Sequence, residues 1–69
     1  MTLTVNGESK SFETDSLTLS GLLENLELPV DHIAVELNRD IIPRVKFGET
    51  SVQNGDIIEI VRFVGGGLA

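Results

Sequence analysis

The 69-residue chain contains no cysteine. That removes disulfides, thiolate metal sites, iron–sulfur clusters and cysteine nucleophiles together. It has a single histidine, His32, and one imidazole without clustered partners leaves a zinc ion short of ligands. His32 reads as a surface residue. Long apolar runs are missing as well: the longest is the three residues Ile33-Ala34-Val35. A membrane span needs about 20 apolar residues, and the core of a signal peptide also needs more than three. Basic charge is scarce, with five Lys and Arg against eleven Asp and Glu and a net charge of -6. Phosphate backbones are bound by basic surfaces, so nucleic acid is not the expected main partner. The carboxylates follow no D-x-[DN]-x-[DN]-G calcium pattern, and there is no G-x-x-x-x-G-K phosphate loop or G-x-S-x-G elbow. A non-enzymatic, cytoplasmic chain with no metal and no membrane is the expectation.

What is present is ordinary globular composition, 41% hydrophobic and 23% charged, in a length that holds one domain with a small core. The charge is uneven. Residues 1–38 hold seven acids against Lys10 alone, whereas residues 39–69 hold four acids against Arg39, Arg44, Lys46 and Arg62. The whole deficit lies in the first part, as a solubilising surface or as a field that steers a basic partner.

Met1 to Val5 alternates apolar and polar residues, the period of a half-buried strand. Asn6-Gly7 follows, the strongest short signal for a type I′ hairpin turn. Pairing across it sets Leu3 opposite Lys10 and Met1 opposite Phe12, giving a hairpin over about 1–13. Thr18 is placed to cap a short helix over 19–26. Leu19, Leu22, Leu23 and Leu26 form its apolar stripe, and Pro29 ends it by forcing Leu28 out of helical conformation. Ile33, Val35 and Leu37 alternate as a strand, Asn38-Arg39-Asp40 is a turn, and Ile41-Ile42 is a short strand stopped by Pro43 at a sheet edge. Gln53-Asn54-Gly55-Asp56 is another turn, launching the long strand Ile57 to Val64. The pattern is α+β: a mixed sheet with one main helix on one face. The expected core is Leu3, Val5, Phe12, Leu22, Leu23, Leu26, Val35, Ile58 and Ile60.

One helix covers one sheet face, and Glu59 in mid-strand belongs in water. Ile58 and Ile60 therefore point inward, while Glu59, Val61 and Phe63 point outward. Arg62 shares the inward phase but lies past the helix, where its head reaches solvent. Two sizeable apolar side chains beside the terminus, together with Glu59 and Val64, suggest a docking patch for a partner. Past them runs Gly65-Gly66-Gly67-Leu68-Ala69. Three glycines anchor no strand and carry no β-carbons, so they make either a thin thread able to enter a narrow active site or no more than a flexible terminus. The expected division is a domain over 1–64 and a flexible glycine-rich tail over 65–69.

This order, ending in glycines, resembles the β-grasp, ubiquitin-like family, and within it the ThiS sulfur carriers of thiamine biosynthesis. The stretches that carry the resemblance are Val5-Asn6-Gly7-Glu8, Leu22-Leu23-Glu24-Asn25-Leu26 and Ala34-Val35-Glu36-Leu37-Asn38. Further on they are Ile42-Pro43-Arg44, Gly55-Asp56-Ile57-Ile58-Glu59-Ile60-Val61 and Phe63-Val64-Gly65-Gly66-Gly67. The resemblance implies a protein-borne sulfur donor that binds no cofactor itself. An E1-like (ThiF-like) adenylyltransferase uses ATP to activate the terminal glycine carboxylate. Sulfur from a cysteine-desulfurase persulfide displaces AMP, and a ThiG-like thiazole synthase consumes the thiocarboxylate. Gly67, or alternatively Gly66, is the implied attachment residue. Leu68-Ala69 departs from relatives that end in glycine and implies removal by a metallopeptidase. Delivery of sulfur to cysteine, homocysteine, molybdopterin or another thio-metabolite stands as the alternative, and a non-carrier β-grasp interaction or modifier protein as a second.

Overall fold

A computed structural model describes residues 1–63 of the chain. Val64 and the 65–69 segment, with the expected tail boundary and flexibility, lie outside the described residues.

β1 (Thr2–Val5) and β2 (Glu8–Ser11) form the opening hairpin, in the register Thr2–Ser11, Leu3–Lys10 and Val5–Glu8. Asn6 and Gly7 take φ of 50° and 81°, the left-handed pair that a type I′ turn demands. The hairpin reaches one pair further than its strands. The Phe12 N–H donates to the Met1 carbonyl (2.8 Å) and the Met1 ammonium donates to the Phe12 carbonyl (2.9 Å).

β3 (Leu17–Thr18) leads directly into α1 (Leu19–Asn25). Thr18 caps the helix as expected, its hydroxyl accepting from the Gly21 N–H at 3.1 Å. The helix ends earlier, and for a different reason, than Pro29 suggested. Glu27 adopts φ 57°. Its N–H donates to the Glu24 carbonyl (3.0 Å), and the Leu28 N–H donates to the Leu23 carbonyl (2.9 Å). These are the two bonds of a Schellman stop, built here on a glutamate rather than glycine. Gly21 has a local reason: a β-carbon there would lie 3.0 Å from Leu17 Cδ1.

β4 (Ile33–Leu37) and β5 (Asp40–Ile42) form a second hairpin around Asn38 and Arg39, at φ 50° and 76°. A 3₁₀ helix, Arg44–Glu49, and β6 (Ser51–Val52) follow, and β6 pairs with β3 in a small second sheet. β7 (Ile57–Arg62) runs through the middle of the main sheet, whose order is β2-β1-β7-β4-β5. It is parallel to β1 and antiparallel to β4. The strand stops at Arg62, short of the expected Val64. One helix across a mixed sheet with this order is the grasp architecture expected from the sequence.

The core is Leu3, Val5, Leu19, Leu22, Leu23, Ile33, Val35, Phe47, Val52 and Ile58. Phe12, Leu26 and Ile60, expected inside, are only partly buried at its rim. The seven-residue helix is too short to reach over them. Phe47 and Val52 close the other end, brought in by the 3₁₀ helix and the β3–β6 pair.

Candidate functional site

The sheet face away from the helix is open, and β7 is its spine. Ile58 is fully buried while Glu59 and Val61 are exposed, so the strand phase inferred from Glu59 holds. Cross-strand pairing sets Val61 opposite Ala34 and Glu59 opposite Glu36. Glu36 in turn pairs with Ile41 on β5, and Ile57 with Thr4 on β1. All these side chains share the open face, because pairing partners in a sheet point the same way. Ile41 is 74% exposed, Val61 59% and Ile57 51%.

Phe63 marks the point where the described chain ends. Its N–H donates to the His32 carbonyl (2.8 Å), and its ring meets the His32 imidazole edge to face at 6.1 Å and 78°. It remains 39% exposed. His32 therefore supports the ring that leads to the tail. Val64, Gly65, Gly66 and Gly67, the other residues expected at the site, lie outside the described residues.

Asn6 does more than turn the hairpin. Its side-chain Oδ1 accepts from the Ile60 N–H (2.6 Å), and its Nδ2 donates to the Ile60 carbonyl (3.1 Å). The amide thus replaces the next residue of β1 after that strand has turned away. Asn38 acts similarly at the other end of β7, where its Oδ1 accepts from the Ile57 N–H (2.9 Å). Its Nδ2 donates to Asp56 Oδ1 (3.1 Å). Two asparagines placed by turn geometry hold both ends of the strand that carries Glu59 and Val61.

Between Glu36 and Glu59 lies an open hollow of about 410 Å³, lined also by Asn38, Arg39 and Ile57. Neither carboxylate forms an ion pair among the described residues; the pairs there are Lys10–Glu8, Arg44–Asp31 and Lys46–Glu49. Among the described residues no group of three or more His, Cys, Asp or Glu is placed to hold a metal ion. No helix there is long and apolar enough to cross a membrane. The sequence named Glu59, Val61 and Phe63. It did not bring in Ile41, Ile57 or Glu36, although the alternation of β4 already placed Glu36 and Ala34 on the outward phase. What the sequence lacked was the register that sets them beside β7.

A mixed sheet with this strand order, one helix on one face and the other face open, defines a β-grasp domain. The ThiS family model matches residues 2–67, and the chain belongs to the ThiS family. The sulfur carrier protein ThiS of Bacillus subtilis is 37% identical over 65 residues, covering 94% of this chain and 98% of that protein. The crystal structure of the thiamine biosynthesis protein ThiS from Geobacter metallireducens superposes with a TM-score of 0.86 at 38% identity. That match covers 97% of this chain and 100% of the other. The thiazole synthase of Paramagnetospirillum magneticum is 40% identical over 67 residues, which is 97% of this chain but 20% of that enzyme. The chain spans about a fifth of the length of the thiazole synthases it matches.

Proposed function

We propose that the chain is a sulfur carrier whose glycine tail is adenylated and converted to a thiocarboxylate for thiazole formation in thiamine biosynthesis. The observation that carries this reading is the family match over residues 2–67, which includes Gly65, Gly66 and Gly67. Gly67 is the proposed attachment residue, with Gly66 as the alternative. A carboxylate is a poor electrophile. Attack of its oxygen on the α-phosphorus of ATP expels pyrophosphate and leaves a mixed anhydride with AMP as leaving group. The outer sulfur of a desulfurase persulfide then attacks the acyl carbon and AMP departs. A thiol cleaves the resulting sulfur–sulfur bond, leaving the thiocarboxylate and a disulfide. No residue of the carrier is catalytic in these steps. It supplies the terminus and a surface, Glu59, Val61, Phe63 and Val64, by which an E1-like enzyme and a thiazole synthase hold it. The similarity of this chain to a part of two thiazole synthases supports the second of those partners.

The test compares chains ending at Gly67, at Gly66 and at Ala69 in an ATP–pyrophosphate exchange assay with the cognate activating enzyme. Exchange is expected with the chain ending at Gly67 and not with that ending at Ala69, because removal of Leu68-Ala69 by a metallopeptidase is part of this reading. Intact mass should then rise by the difference between sulfur and oxygen when a desulfurase and cysteine are added. Equal exchange by the Gly67 and Ala69 chains would remove the trimming step, and no exchange by any chain would defeat the carrier function.

A further inference from the structure

We propose that Glu36 and Glu59 together form the receptor for one arginine or lysine side chain of the activating enzyme, set within the apolar ring of Ile41, Ile57, Val61 and Ala34. This deepens the proposed function and rests on it for the partner's identity, though not for the surface itself.

Glu36 and Glu59 are directly opposed across β4 and β7. Like charges in that relation destabilise a sheet, whereas opposite charges would support it. Arg39 lines the same hollow but forms no ion pair with either carboxylate among the described residues. The free domain therefore sets two like charges on neighbouring strands among exposed apolar side chains. Ile41, Val61 and Ile57, each more than half exposed, surround the two charges. Covering that surface without a cation would desolvate two carboxylates with nothing to offset their lost hydration.

Charge decides among the occupants. A second copy of this chain would bring two more carboxylates onto the pair, and an anionic membrane or nucleic acid would meet a molecule of net charge -6. A protein surface with a single guanidinium or ammonium in an apolar surround satisfies both features at once. The planar fork of arginine can bond both carboxylates together.

The experiment has two arms. On the free protein, Glu36→Gln and Glu59→Gln should each raise the melting temperature at low salt, because either change relieves the opposition. A lowered melting temperature in both would mean that the pair is already neutralised, and would overturn the proposal. In the second arm, a chain ending at Val64, which has no glycine tail, is titrated into the activating enzyme by calorimetry. It should bind, and each Gln variant should bind about tenfold more weakly or worse, as truncating one side of a desolvated charge pair does. Equal binding by wild type and Gln variants, or no binding by wild type, overturns the proposal. Because this arm needs no terminal glycine, binding that depends on the two acids with no pyrophosphate exchange would sink the carrier function and leave the docking assignment standing.

Discussion

A glutamate sits at a left-handed backbone position that glycine usually fills. Glu27 stops the helix at φ 57°, where a β-carbon costs about 1–2 kcal/mol and glycine costs nothing sterically. Glu27→Gly should be more stable than Glu27→Ala by about 1 kcal/mol in urea denaturation. Both variants remove the same charge, so their difference isolates the backbone term. Nothing in the residue type announces this stop, and the sequence pointed instead to Pro29, two positions on. Asn6-Gly7, by contrast, was legible because only residues tolerant of positive φ fit a type I′ turn. The second role of Asn6 was not legible, since it depends on Ile60 lying beside it, 54 residues away. Asn6→Gly keeps the turn and removes only the amide. Hydrogen exchange at the Ile60 N–H should then speed up selectively, with a global loss of about 1 kcal/mol, the ordinary worth of such bonds.

Elements with a clear period were readable from the sequence; β3, the 3₁₀ helix and β6, which have none, were not. The leucine stripe and the alternation of β1, β4 and β7 located most of the core, and Glu59 fixed which face of β7 is open. Arg44–Glu49 has neither period, so Phe47 passed unnoticed although it is 2% exposed. Its 3₁₀ turn is held at one end by the Lys46 N–H donating to the Pro43 carbonyl (2.9 Å). At the other, the Thr50 hydroxyl donates to the Lys46 carbonyl (2.7 Å). Phe12 has the opposite history: expected in the core, it is half-buried at the rim. Phe47→Ala should therefore cost about 3–5 kcal/mol, a large share of the stability of a domain this size. Phe12→Ala should cost well under half as much. Chemical denaturation of the two variants reads both numbers, and the reverse order would mean that the hairpin end, not the 3₁₀ end, closes the core. On the open face the same limit applied: phase alone places Ile57, Glu59 and Val61 together, and only pairing register could add Glu36 and Ile41.

For the whole molecule, net charge outweighs pairing. The ion pairs Lys10–Glu8, Arg44–Asp31 and Lys46–Glu49 are all substantially exposed, and such pairs contribute about 0–1 kcal/mol. The net charge of -6 comes from the first 38 residues, and Glu36 among them pairs across the sheet with Glu59. Screening shortens from about 30 Å at 0.01 M salt to about 8 Å at 0.15 M. The melting temperature should therefore rise over that interval; a fall would show that the ion pairs dominate after all.

The parallel pairing of β1 with β7 has a mechanical meaning. The start of β1 and the end of β7 lie at opposite ends of the pair, so a pull between them loads its hydrogen bonds side by side rather than one at a time. The Asn6 amide, gripping Ile60 near the end of β7, sits where a load applied from that end arrives first. Under the proposed function, a partner pulling on the chain beyond Phe63 would load the middle of the sheet through a shear joint with a latch at its mouth. Asn6→Gly should lower the force needed to open the domain in single-molecule pulling from its ends far more than it lowers equilibrium stability.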